Sequence, residues 1–185
     1  METESRILKQ LNLEAAKFQI GETGLVALDW FNGRRTPYAD PRLKGAVIGL
    51  TLGTTAPAIF RALVEATAFG SKAIIDRFLE EGIAIEEVIA VGGIAQKSEL
   101  VMQITADVLG IPIKTCRSEQ SCALGAAMCG AVAAGIYDTI QRAQKKMGSG
   151  FSKVYQPVPD NVIKYRRLYD QYLKLGRYFN SSCVD

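Results

Sequence analysis

The chain has 185 residues, 48% of them hydrophobic and 22% charged, with a net charge of +3, the composition of one globular domain large enough for a real core. No apolar run approaches the roughly 18–20 residues of a membrane-spanning helix, and the polar start Met1-Glu2-Thr3-Glu4-Ser5-Arg6 lacks the basic-then-apolar order of a signal peptide. Lys and Arg are scattered apart from Lys164, Arg166 and Arg167, a cluster that reads as a solvated helix face, so neither nucleic acid nor a membrane is expected as a partner.

In chain order, Ile7, Leu8, Leu11 and Ala15 recur at helical spacing and predict a helix over 4–16. Residues 25–30 read as a short buried strand, followed by the turn Asn32-Gly33-Arg34-Arg35-Thr36-Pro37 and a second turn at Asp40-Pro41. Residues 45–53 are apolar and punctuated by glycine, so pattern does not separate helix from strand there. Pro57, with Thr54 and Thr55 as cap candidates before it, opens a helix that runs to about Glu80 and stops at Gly82. A strand over 88–91 leads into Gly92-Gly93, and Ser98-Glu99 starts a helix that ends at Gly110. A second strand is expected over 111–116, then a small-residue helix from Ser121 to about Ala134, then a short helix over 139–147. Gly148-Ser149-Gly150 is a linker before a final amphipathic helix over 157–179. Strand, helix, strand and helix with short connections predict a βαβ unit with locally parallel strands.

The chain contains no histidine, which removes Ser-His, Cys-His and histidine general-base chemistry from it. Cys116, Cys122, Cys129 and Cys183 fit no zinc-site spacing. Cys122 and Cys129 stand seven apart in an Ala/Gly-rich run and are expected to be small buried thiols on one helix face.

Chemistry is expected first at the stretch 91–98. Ligands of open α/β sheets bind where strands end and helices begin. The pair Gly92-Gly93 lets a ligand approach the backbone with no Cβ in the way, and a following helix start offers free N–H groups. The segment Ala123-Leu-Gly125-Ala-Ala127 reads as tight helix-on-sheet packing, or else as a place where Gly125 lets the helix lie close to a nucleotide. Asp29, Asp40, Glu65 and Asp107 are the carboxylates nearest to apolar residues and the general-base candidates, but their spacing pairs none of them, and surface or capping roles fit better.

Several segments, taken together, carry a family likeness: Gly24-Leu-Val-Ala-Leu-Asp-Trp30, Asn32-Gly33-Arg34-Arg35-Thr36-Pro37, Asp40-Pro41 and Gly49-Leu-Thr-Leu-Gly53. So do Ile59-Phe-Arg-Ala-Leu-Val-Glu65-Ala-Thr-Ala-Phe-Gly70, Val91-Gly92-Gly93, Met102-Gln103, Ala106-Asp107-Val-Leu-Gly110-Ile-Pro112 and Ala123-Leu-Gly-Ala-Ala127. In order and spacing, over about 21–178, they resemble the C-terminal domain of the FGGY carbohydrate kinases. The likeness is nearest to members that phosphorylate L-ribulose, through Leu28-Asp29-Trp30 and Glu65–Gly70. The resemblance implies part of an RNase H-like α/β domain of the actin-like ATPase superfamily, with additional C-terminal helices. It implies ATP and Mg2+ in a cleft, in a cytoplasmic enzyme of L-arabinose catabolism. Gly92 and Gly93 would face the adenosine, with Gln96, Lys97 and Gln103 beside them and Gly53 and Thr54 at the pocket edge. The organisation expected is a helical segment over 1–20, the nucleotide-side domain over 21–150, and a helical extension over 151–185 packed on it.

Two departures qualify the likeness. The family's sugar-binding domain, with its base aspartate, has no counterpart here, nor does a Gly-Thr-Ser-like phosphate hairpin before Gly24. Gly33-Arg34-Arg35-Thr36-Pro37 stands where the family usually has Gly-Glu-Arg-Thr-Pro. The expectation is therefore a C-terminal kinase fragment that binds ATP or ADP, meets a sugar only with the missing domain, and self-associates through uncovered apolar surface. A non-catalytic actin-fold regulatory module is the second reading, and an unrelated α/β nucleotide binder such as an acetate-kinase-like protein the third.

Overall fold

The computed structural model describes residues 2–182; Cys183 lies outside them. The helix α1 (Glu2–Ala15) leads to β1 (Val26–Leu28), which pairs antiparallel with β2 (Ala46–Ile48). The ambiguous stretch 45–53 thus resolves as a strand and a turn, because it has β1 to pair with.

The long helix α2 (Ala56–Glu80) follows. Its cap differs in detail from expectation. Thr55 is the N-cap residue but makes no side-chain cap bond, while the Thr54 hydroxyl accepts the Thr51 N–H at 2.8 Å. The helix stops at Gly82, whose φ of +76° suits glycine. The Gly82 and Ile83 N–H groups turn back to the Leu79 and Phe78 carbonyls at 3.0 and 2.9 Å, which satisfies the last turn.

Next come β3 (Val88–Ala90), the short α3 (Gly93–Lys97), α4 (Glu99–Leu109) and β4 (Ile113–Cys116). β3 and β4 are parallel, with Val88 opposite Ile113, so the expected βαβ unit is present. Residues 93–97, read from sequence as loop, form a helical turn of their own. α4 starts at Ser98, whose hydroxyl accepts the Val101 N–H at 3.3 Å, and ends at Gly110 in the left-handed region. The helices α5 (Ser121–Ala133) and α6 (Ile140–Met147) come next.

The segment 151–185, expected to be helical, opens instead with a strand, β5 (Phe151–Tyr155), before α7 (Pro159–Ser182). β5 lies antiparallel to β4, with Ile113 opposite Tyr155. Four of its five residues are exposed, so it lacks the half-buried alternation by which strands are recognised. The cross-strand bond between the Thr115 and Ser152 hydroxyls, 2.9 Å, depends on the pairing itself. The sheet runs β3-β4-β5 and leaves one side of β3 open.

The main core gathers β1, α2, α4 and α7, with Trp30, Leu28, Phe69 and Tyr165 buried in it. The Phe69 ring meets those of Tyr165 and Tyr172 at centroid distances of 6.2 and 5.5 Å, separations at which aromatic pairs attract. A buried ion pair crosses this core. Arg61 Nε donates to Glu65 Oε1 at 2.7 Å and its Nη2 to the Tyr165 hydroxyl at 2.8 Å. Its Nη1 reaches the Ala15 carbonyl at 3.2 Å, which ties α1, α2 and α7 together. Burial pushes the Glu65 pKa up and raises that of Tyr165 as well. Glu65 therefore has an internal electrostatic partner and is neither a cap nor a surface group. Asp107 is a cap: it accepts the Val158 N–H and the Asn161 side-chain amide, both at 2.8 Å, and fastens the start of α7.

Two readings of the small-residue segment are corrected. α5 does not pack tightly on the sheet: Met128 is its one buried residue, and a Cβ at Gly125 or Gly130 would meet nothing within 4 Å. Cys122 and Cys129 are exposed rather than buried, because the face that carries them has no partner among the described residues.

Candidate nucleotide site

The glycine pair stands where β3 gives way to α3. Gly92 has φ +91° and ψ 178°, a backbone region open to glycine and costly for other residues. Gly93 is the first residue of α3. A Cβ at either position would meet no atom of the protein within 4 Å. Gly92 is therefore explained by its backbone angle, while nothing inside the protein requires the bareness of Gly93. The adjoining side chains Val91 and Ile94 are 55% and 68% exposed, so the glycines sit in an apolar, outward-facing rim.

The other candidate residues divide. The Gln96 side-chain amide donates to the Cys116 carbonyl, which clamps α3 to the end of β4. Lys97 is exposed and faces a groove of about 600 Å3 between α1, α4 and β5, lined also by Lys9, Gln103 and Lys153. The Gln103 amide is committed to Asp107 and to the Gln156 carbonyl, each at 2.9 Å. Gln103 thus braces α4 against the segment before α7, a role that sequence did not suggest. Gly53 and Thr54 lie on the turn before α2, where the Thr54 N–H donates to the Thr51 carbonyl at 3.1 Å. The structure brings Gly92, Gly93, Gln96 and Lys97 into one unit and adds Gln103 across the groove from Lys97, but Gly53 and Thr54 do not line that groove.

Among the described residues, no three acidic or thiol side chains cluster to hold a metal ion, and no helix is long and apolar enough to cross a membrane. Asp40 is engaged by Arg42 in a surface ion pair at 3.0 Å. Asp29 lies beside a separate cavity. None of these four carboxylates lines the groove beside Lys97.

Comparison with known proteins gives the chain its family. Residues 2–134 match the FGGY family of carbohydrate kinases, C-terminal domain. The chain is 50% identical over 177 residues to a ribulokinase of Vibrio parahaemolyticus, covering 96% of this chain and 31% of that protein. It is 47% identical to a ribulokinase of Bacillus licheniformis, over 94% of this chain and 32% of that protein. A ligand-bound xylulose kinase from Lactobacillus acidophilus superimposes with a TM-score of 0.79 at 26% identity, over 93% of this chain and 35% of its own length. The chain spans about a third of the length of the curated relatives it matches, and its mixed α/β architecture is that of FGGY sugar kinases with the actin-like ATPase fold. With a family match over most of its residues, this chain belongs to the FGGY family of carbohydrate kinases, as that family's C-terminal domain.

Proposed function

We propose that this chain is the C-terminal part of a cytoplasmic, ATP-dependent kinase that converts L-ribulose to L-ribulose 5-phosphate in L-arabinose catabolism. Its own contribution is the adenosine side of the nucleotide site. The observation that carries this reading is Gly93: a glycine at the start of a helix, with open space where its side chain would be. A flat base resting on Gly92 and Gly93, between Val91 and Ile94, gives that bareness a purpose. The identity to ribulokinases supports the choice of pentulose. Residues 21–150 serve as the nucleotide-side domain, with 1–20 and 151–185 as flanking segments.

Phosphoryl transfer runs on positioning, on charge stabilisation and on a base for the attacking hydroxyl. The glycine pair positions the nucleoside, and Gln96 fixes the loop that carries it by bonding to Cys116. Lys97 and Gln103 border the same region, and Gly53 and Thr54 form its outer edge in the assembled cleft. Mg2+ is the usual partner of the triphosphate, and no acidic cluster among the described residues fits it. The base and the sugar pocket belong to the remaining two thirds of a full-length kinase, so this chain alone leaves L-ribulose unphosphorylated.

Calorimetric titration with ATP tests the reading. Wild-type chain binds, and Gly93→Val weakens binding at least about tenfold, roughly 1.4 kcal/mol, without loss of helical circular dichroism. Equal affinity in the two proteins refutes the assignment of Gly93. ATP-dependent phosphorylation of L-ribulose by the chain alone, above a protein blank, refutes the division of labour.

A further inference from the structure

The turn that carries the glycine pair is fastened at few points. β3, which leads into it, pairs with β4 on one side and with no strand on the other among the described residues. Val91 and Ile94 are exposed, and Ala95 is the one buried residue of α3. Side-chain bonds hold the rest. Gln96 bonds to the Cys116 carbonyl at the end of β4. Just past α3, the Ser98 hydroxyl donates to Asn12 Oδ1 on α1 at 2.7 Å.

This second bond does more than complete a cap. The Ser98 hydroxyl accepts the Val101 N–H at the start of α4, and the Ser98 backbone N–H donates to the Ile94 carbonyl at 3.1 Å, which closes α3. Ser98 is thus the joint between the two helices. A hydroxyl has a single hydrogen to give, and giving it to Asn12 fixes the rotor with its acceptor side toward Val101. Asn12 is half-buried and is itself held. Further along α1, Ala15 is fully buried, and Arg61 Nη1 donates to its carbonyl and, at 3.4 Å, to that of Phe18. Asn12 therefore connects the joint at Ser98 to the buried network of Arg61, Glu65 and Tyr165. Asn12 and Ser98 are 86 residues apart in the chain, so no local rule of capping requires their contact. We propose that Asn12 is a positioning residue of the nucleotide site: from α1 it holds Ser98, and through Ser98 it keeps α3, and the glycine pair at its start, in the arrangement that receives the nucleoside. This rests on the reading of Gly92 and Gly93 as the adenosine support and adds to it a residue that acts through another.

The test compares wild type with Asn12→Leu, which keeps the size and removes the acceptor, and with Asn12→Asp, which keeps an acceptor in the same place. Calorimetry gives the ATP affinity, and amide hydrogen exchange without nucleotide gives the local stability of residues 94–98. Asn12→Leu should bind ATP about fivefold more weakly, the ordinary worth of one hydrogen bond. It should exchange faster at 94–98 and leave the amides of α7 as they are in wild type, and Asn12→Asp should restore both properties. Circular dichroism establishes that the variants are folded, and Asn12→Ala takes the place of Asn12→Leu where the latter is not. Unchanged exchange at 94–98 in Asn12→Leu overturns the proposal. So does an Asn12→Asp protein as impaired as Asn12→Leu, because lost packing and not the lost acceptor would then be the cause. Wild type that binds no ATP overturns the reading of the glycine pair and this assignment with it. Wild type that binds ATP while Asn12→Leu binds it equally well overturns this assignment alone.

Discussion

α5 is the most apolar helix of the chain, yet Met128 is its one buried residue. α7 is rich in Lys, Arg and Tyr, yet it places Tyr165, Tyr172 and Leu175 in the main core. The contrast lies in how apolar residues are arranged, not in how many there are. In α5 alanine and glycine surround the whole circumference, so no side presents a large stripe, and its neighbour is α6. In α7 the aromatic residues recur at three- and four-residue spacing on one side, which gives a continuous face to bury. Each fully buried large side chain removes enough apolar surface from water to stabilise the fold by about 1.5–3 kcal/mol, whereas an alanine helix has little to bury. The α7 side is therefore the mechanical centre of the domain, and the α5 side is an apolar surface that remains open.

Substitutions can break or sharpen this contrast. The largest effect is expected at the ion pair beneath α7. Arg61→Met leaves Glu65, 4% exposed, buried without its cation and should destabilise by about 3–5 kcal/mol in urea unfolding. Arg61→Met with Glu65→Met should recover most of that loss; a single variant within about 1 kcal/mol of wild type would show that the pair is not integral to the core.

The next pair of predictions differs in sign. Gly176 lies on α7 with its would-be Cβ 3.1 Å from Trp30 Cη2. Trp30 is held by Tyr172, whose hydroxyl accepts its Nε1–H at 3.4 Å, and by Arg34 over its ring, so it has little room to yield. Gly176→Ala should cost about 1–3 kcal/mol through overpacking. On α5, Gly125→Ala meets open space and should gain about 0.5–1 kcal/mol from helix propensity. Thermal melts of the two variants check the signs, and identical shifts would erase the distinction between the two helices.

The smallest effect is a pH dependence at Asp29. Its folded pKa is raised by burial, so the native state holds the proton more tightly than the unfolded chain. That contribution is complete below the unfolded carboxylate pKa and is lost as pH rises through the folded one. Asp29→Asn should therefore match wild type in acid and become slightly the more stable protein as pH rises past the Asp29 pKa. A difference in melting temperature that stays constant from acid to neutral pH would contradict this.

Much of the local architecture was legible before any coordinates. The stops at Gly82 and Gly110, the start at Ser98 and the strand before Gly92 follow from backbone rules that act over a few residues. Candidate residues fared according to what else their side chains could reach. Gly92 and Gly93 stand where strand meets helix, as read. The amides of Gln96 and Gln103 have intramolecular partners as well, at Cys116 and at Asp107 and Gln156. No spacing in the sequence points to those partners. β5 escaped notice because its exposure pattern is set by β4, and the Arg61–Tyr165 contact because its members are 104 residues apart.

Sequence by itself determined the order of the elements, the βαβ crossover and the position of the glycine pair, since periodicity, capping and glycine angles are short-range properties. Tertiary structure alone decided that apolar α5 stays exposed while charged α7 buries one face, that Glu65 is the buried ion-pair partner of Arg61, and that Trp30 walls a cavity. Those outcomes depend on which distant surfaces meet, and burial free energy is released only where they do.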